Sequence, residues 1–278
     1  MGFLHWLTPG FLFSQLNAID EERKPASLSP AEEAKERIRV WQIIGIACVC
    51  LLLVHYGKYS SNLTALVKWF SEVMSDPSIY RDYHRYEYRE LQGYIWWGSI
   101  NLLGFLIIPM LAIRWWFKDS LSEYGWQWGS VHHHWRGYVL LASPILVFAI
   151  IASFGDDFSQ HYPFYNHAHR SWFDLLSWEV IYVLQFIAVE FFFRGYLVNG
   201  LKRQLGSLSI AVMCLPYLML HFPKLWPESF GAILFGFFLG VLALMSRSIW
   251  GGVLVHVSIA LMMDVAALLQ TKGLPQQW

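Results

Sequence analysis

The chain has 278 residues, 56% of them hydrophobic and 18% aromatic, with only 14% charged and a mean hydropathy of +0.37. Soluble domains carry about 25% charged residues, so this polar coat is too thin for a water-soluble domain. Twenty Lys and Arg balance twenty Asp and Glu. No basic excess is left to hold phosphate backbones, which excludes a nucleic-acid binder. The apolar residues fall in blocks of about 15–22, divided by charged stretches, which is the pattern of membrane-spanning helices. The expected fold class is all-α: a polytopic membrane helix bundle of about seven transmembrane helices.

In chain order, Met1 to Asn17 is apolar and aromatic but lacks a basic stretch and a small-residue cleavage site. Phe3-Leu4-His5-Trp6-Leu7 therefore reads as a segment lying in the membrane interface, not as a secretory signal. A polar linker from Asp20 to Arg37, rich in Glu, Lys and Ala, is expected to be helical in part. Seven spans follow, at Ile38–Tyr56, Tyr94–Ile113, Gly137–Phe154, Phe173–Phe193, Leu208–Phe222, Phe230–Met245 and Ile249–Gln270. The fifth and sixth are short for a hydrocarbon core of about 30 Å and are expected inside the bundle. This divides the chain into an N-terminal segment (1–40), two spans with an external loop (41–120), a core (121–270) and a tail (271–278).

A cytoplasmic N-terminus puts twelve Lys and Arg on the inside and eight on the outside, the orientation that the positive-inside rule favours. The expected setting is a bacterial inner membrane, with lipid as the surrounding partner. The Lys58–Gly93 loop mixes Asp, Glu, Arg and many Tyr and reads as a small folded cap at the membrane face. Trp96, Trp97, Trp115, Trp116, Trp126 and Trp128 lie at or near span ends, where an aromatic belt belongs. Cys48, Cys50 and Cys214 fall in apolar blocks as packing residues, and Cys48-Val49-Cys50 is too tight for a tetrahedral metal pair. His132-His133-His134 sits in a polar loop beside Trp135 and Arg136 and reads as a solvated interfacial turn. Neither a cofactor nor a metal is expected.

Ionisable side chains within spans cost several kcal/mol unless paired, which makes them functional candidates. The set here is Glu179, Glu190, Arg194, His221, His256 and Asp264. Glu190 and Arg194 are four residues apart with Glu on the N-terminal side, the favourable order for a helical pair. His221 ends a short span before Phe222-Pro223, and His256 sits mid-helix in Val253-Leu254-Val255-His256-Val257.

Three stretches carry a resemblance: Glu190-Phe191-Phe192-Phe193-Arg194-Gly195, then Tyr217-Leu218-Met219-Leu220-His221, then Ser248-Ile249-Trp250-Gly251-Gly252-Val253-Leu254-Val255-His256. Together they resemble the CPBP family, the CAAX-prenyl-protease-like and bacteriocin-processing (Abi) intramembrane proteins. The family's motifs are Glu-Glu-x-x-x-Arg, aromatic-x-x-x-His and His-x-x-x-Asn on successive membrane helices. Leu121-Ser122-Glu123-Tyr124-Gly125-Trp126 is similar to the loop ahead of the family's core, so the likeness runs from about Leu121 to Ala267.

The resemblance implies an intramembrane glutamic endopeptidase. Its first Glu and first His activate a water, its second His and Asn hold the oxyanion, and its second Glu pairs with the Arg. Glu190, His221 and His256 are then the catalytic candidates and Arg194 the structural partner of Glu190. The pattern departs at two positions: Val189 stands where the family has its first Glu, and Ala260 where it has Asn. One residue along an α-helix turns a side chain by about 100°, so Glu190 cannot simply take over from residue 189. Glu179 and Asp264 are auxiliary candidates, about 16 Å before Glu190 and about 12 Å past His256 along their helices.

Three functions follow. One is an endopeptidase acting on a membrane-associated or prenylated peptide; another is an inactive pseudoprotease that binds or escorts a membrane client. A transporter or metal-binding membrane protein is the remote alternative. His-Glu-x-x-His, the mark of a zinc protease helix, is absent from the sequence.

Overall fold

A computed structural model describes residues 8–23, 29–224 and 226–278. The Phe3–Leu7 segment lies outside them. Among the described residues the chain is helical and contains no strand. Eleven helices follow one another: α1 (Pro9–Arg23), α2 (Pro30–Gly57), α3 (Ser60–Val73), α4 (Pro77–Arg85), α5 (Arg89–Phe117), α6 (Trp135–Ala152), α7 (Asp156–His161), α8 (Trp172–Leu205), α9 (Leu208–Met219), α10 (Trp226–Ser246) and α11 (Trp250–Gln270).

Six of these helices are long and apolar enough to cross a membrane: α2, α5, α6, α8, α10 and α11. The expected fifth span, Leu208–Phe222, is the 12-residue α9, which at 1.5 Å per residue reaches only about 18 Å. Its helix ends at Met219, and the chain turns at Leu220 and His221. Pro216, which cannot donate to the helix ladder, precedes that end. The sixth expected span is longer than its apolar block suggested, because α10 begins at Trp226 and its 21 residues suffice to cross.

The linker is helical on both sides. It starts α2 through a capping box in which Ser29 N–H donates to Glu32 Oε2 (2.9 Å) and Glu32 N–H donates to Ser29 Oγ (3.4 Å). Pro30 follows at the first helical position, where its missing N–H costs nothing. Two helices, α5 and α8, contain π-helical stretches. In α5 they flank Pro109, at Leu103–Ile107 and Ala112–Phe117, as expected where a proline interrupts the i→i−4 ladder. In α8 the stretch is Phe191–Asn199, and all nine residues are buried.

The chain divides into two compact units, one of 1–49, 108–145 and 189–256, the other of 50–107, 146–188 and 257–278. In the first, Ser120 and Glu123 form a capping box on the turn Leu121–Tyr124. Gly125 (φ +81°) then lets its carbonyl accept from Ile249 N–H at 3.0 Å, and Ser130 N–H donates to Ser246 O at 2.9 Å. At Gly129 (φ +56°) a Cβ would overlap the Ser246 carbonyl, so glycine is required both for the backbone angle and for the approach. These bonds fix the α10–α11 turn and hence where α11 starts. Arg39 of α2 ion-pairs with Asp119 and donates to Tyr124 Oη at 2.7 Å. Asp20 of α1 accepts from Ser207 N–H (2.7 Å) and Ser207 Oγ (2.8 Å) at the α8–α9 turn.

The second unit packs Leu91, Tyr165, Ala168, Leu175, Trp178, Tyr182, Ala260 and Leu268 into one apolar core. Asp174, in the first turn of α8, is fully buried. It accepts from Tyr165 Oη (2.5 Å), Ser171 Oγ (2.6 Å) and two Arg170 nitrogens (2.8 Å each). Glu90 ties the same loop to α5 through Asn166 and His167. Four of the six tryptophans expected at span ends divide plainly. Trp115, Trp116 and Trp128 are exposed, whereas Trp97 packs inward, stacked on Trp178.

Candidate functional site

The site lies in the first unit. Glu190 is the last α-helical residue of α8 before the π stretch, and Arg194 falls within that stretch. Both are 0% exposed, and Arg194 Nη1 donates to Glu190 Oε1 at 2.8 Å. The pair expected from the i, i+4 spacing is therefore present and enclosed. Asn199 Nδ2 donates to the Arg194 carbonyl at 2.8 Å, providing a side-chain partner within the π stretch.

His256 reaches the same carboxylate from α11. Its Nδ1 lies 2.9 Å from Glu190 Oε1, and its Nε2 lies 3.2 Å from Tyr217 Oη on α9. Phe235 of α10 meets the imidazole edge-on, with ring centroids 4.8 Å apart. His256 thus lies between Tyr217 and Glu190, and Arg194 donates to the same carboxylate.

Tyr217 joins these parts. Its ring lies under the Arg194 guanidinium, 4.3 Å from carbon to centroid, in cation–π geometry. Its backbone carbonyl faces His221 Nδ1 at 2.9 Å, and the two rings are 4.8 Å apart. Because a carbonyl cannot donate, His221 carries its proton on Nδ1 and keeps a lone pair on Nε2. The backbone around His221 is held by Ser229 Oγ, which donates to its carbonyl at 2.7 Å.

Three polar atoms at the ion pair have no hydrogen-bond partner among the described residues: Glu190 Oε2, Arg194 Nε and Arg194 Nη2. Buried groups of this kind need a reason. Oε2 lies against the backbone of α11 at Gly252, where a Cβ would overlap it; at Gly251 a Cβ would overlap the Tyr138 ring. The double glycine ahead of His256 is therefore what lets α11 approach the carboxylate. Gly252→Ala is expected to cost about 1–3 kcal/mol through overpacking. Gly231→Ala in α10, where nothing lies within 4 Å, should be neutral or mildly stabilising. Paired thermal melts in detergent check this; equal midpoints would mean that α11 does not bear on Glu190.

The sequence candidates thus separate. Arg194 and His256 both meet Glu190, and His221 joins them through Tyr217. Glu179 and Asp264 make their contacts in the second unit. There Trp178 Nε1 donates to Asp264 Oδ2 at 2.6 Å, while Asp264 Oδ1 and Glu179 Oε2 are buried without a hydrogen-bond partner among the described residues. Ala260 belongs to that unit's apolar core. Sequence reasoning missed Tyr217 as the hub and Gly251-Gly252 as the point of approach. The signal was available in the aromatic four residues before His221 and in two adjacent glycines inside an otherwise apolar helix. Among the described residues, no group of three or more His, Cys, Asp or Glu is placed to hold a metal ion.

Six membrane-length helices and a buried acid–base cluster define a polytopic integral membrane protein with a polar site in its apolar interior. Residues 170–262 match the family model described as type II CAAX prenyl endopeptidase Rce1-like, in the CPBP family. The match spans Glu190, His221, His256 and Ala260. No curated protein and no solved structure matches the chain.

Proposed function

We propose that the chain is an intramembrane endopeptidase of the CAAX-protease-like type, acting by water activation on a membrane-associated or prenylated peptide. The observation that carries this reading is the uncommitted Glu190 Oε2, buried beside the Arg194 guanidinium in the interior of α8. In this reading Glu190 Oε2 and His221 Nε2 supply the lone pairs that take a proton from water as it attacks the peptide carbonyl. The same proton then passes to the departing amine, as general acid–base catalysis requires. Arg194 holds Glu190 in place. In this reading His256 Nε2–H donates to Tyr217 Oη, which leaves the tyrosine O–H to face the oxyanion. Cleavage of a prenylated peptide by the purified chain in phosphatidylcholine vesicles, lost in His221→Ala, is the test.

A second reading has its own observation. Val189 and Ala260 replace one carboxylate and one amide of the family pattern, and Ala260 packs in an apolar core. On that reading the chain is a pseudoprotease that binds or escorts a membrane client.

The proposed orientation keeps the N-terminus in the cytoplasm and Lys58–Gly93 on the opposite face. Ser60, exposed at the start of α3, reports it. In a background with Cys48, Cys50 and Cys214 replaced by alanine, Ser60→Cys should react with an impermeant maleimide in intact cells. Labelling only after permeabilisation reverses the orientation.

A further inference from the structure

Helix α3 joins the ends of two spans and divides its surface three ways. Leu63, Thr64, Val67 and Ser71 face inward and are at least partly buried, against α4 and α5. Ser61, Ala65, Lys68 and Glu72 form an exposed polar or small-residue stripe. Leu66, Trp69, Phe70 and Val73 form a second exposed stripe, and it is entirely apolar, with exposures of 45%, 58%, 47% and 59%. The spacing i, i+3, i+4, i+7 keeps these four on one face, roughly 120° from both the inner face and the polar stripe.

The level of α3 is fixed by its anchors. It begins three residues after α2 ends at Gly57. Asn62 Nδ2 donates to the carbonyls of Tyr56 (2.6 Å) and Gly57 (3.1 Å), the last of that span. Trp96, near the start of the α5 span, donates its indole N–H to the same Gly57 carbonyl at 2.9 Å. Gly93 of α5 lies beside Ser60, where a Cβ would sit 3.4 Å from the serine Cβ. Two span ends and the start of α3 are thus held together at one depth. The end of α2 to which α3 is tied also carries exposed apolar residues, Leu52 and Tyr56.

We propose that α3 lies in the bilayer interface, with Leu66, Trp69, Phe70 and Val73 seated among the lipid acyl chains and Lys68 and Glu72 in the headgroup water. Aromatic rings favour that depth, and a helix with separate apolar and charged faces binds there. The occupant of the stripe is lipid, not a protein partner or a second copy of the chain.

The experiment uses the full chain, in the same cysteine-free background, reconstituted in phosphatidylcholine vesicles. Single cysteines at 61, 65, 66, 68, 69, 70, 72 and 73 carry a nitroxide, and its collisions with oxygen and with a water-soluble nickel chelate are compared. The expected result is an oxygen-to-nickel ratio that oscillates with a period of about 3.6 residues, with maxima at 66, 69, 70 and 73 and minima at 61, 65, 68 and 72. Nickel access at all eight positions would place α3 in water and overturn the proposal. Immobilised labels at 66, 69, 70 and 73, shielded from both reagents, would overturn it in favour of a protein-covered face. Each position is exposed, so each variant leaves the packed face intact and the series does not hinge on one substitution.

Discussion

Arg194→Ala is expected to lower the stability of the protein by about 3–5 kcal/mol, the usual cost of stranding one member of a buried ion pair. For a chain of this size that corresponds to a fall of roughly 6–20 °C in the detergent melting midpoint. The reason is geometric. Both partners are 0% exposed, so the substitution would leave the Glu190 carboxyl buried without the guanidinium, with His256 at 2.9 Å beside it. Arg194→Lys restores the charge but not the planar group that lies over Tyr217, and should recover part of the loss. A double variant, Glu190→Gln with Arg194→Met, removes the stranded charge and should melt above Arg194→Ala. This outcome does not depend on whether the chain is an enzyme. An Arg194→Ala variant that melts with the parent would show that the pair is not enclosed.

His221→Ala should behave in the opposite way. Among the described residues the side chain hydrogen-bonds the carbonyl one turn earlier in its own chain, and it is partly exposed, so little folding energy depends on it. If His221 Nε2 helps take the proton from water, turnover should fall by about 10²–10⁴ with the melting midpoint unchanged. Loss of stability together with activity would make His221 structural. Undiminished cleavage would remove it from the mechanism. The two readings of function diverge in a second pair of measurements. Val189→Glu with Ala260→Asn restores the family pattern. An inactive scaffold with intact geometry should gain cleavage, because one base is worth about 10²–10⁴ and one oxyanion donor about 10²–10³. A working variant site should instead lose activity to an extra buried carboxylate. If neither the parent nor the double variant cleaves and both retain the same membrane client, the pseudoprotease reading holds.

Legibility in the sequence followed the range of the physics involved. The apolar blocks identify spans because hydrocarbon demands length and excludes charge, and both are local properties of the chain. Their ends were less legible. Around Pro216 the apolar character continues to Phe222 while the helix stops at Met219; composition reports where lipid is tolerated, not where the hydrogen-bond ladder breaks. The Glu190–Arg194 pair was legible because its partners lie one turn apart on one helix. The tryptophans were only partly legible, since Trp97 and Trp115 look alike in sequence, yet one stacks inside and the other is exposed.

By itself the sequence determined the class of protein, six of the helices that can span, and the Glu190–Arg194 ion pair set by the helical repeat. Each of these is a property of neighbouring residues or of a helix considered alone. The tertiary structure decided what those residues meet. It brought Glu190, Tyr217 and His256 together from three helices and placed Tyr217 under Arg194. It gave Gly251 and Gly252 their purpose by bringing Tyr138 and Glu190 against them. It also assigned the contacts of Glu179 and Asp264 to a different unit from those of Glu190 and His256. The reason is that contacts between helices depend on the depth and rotation at which each helix packs. Loop closures such as Gly125 to Ile249 set those quantities, and no periodicity within a single helix encodes them.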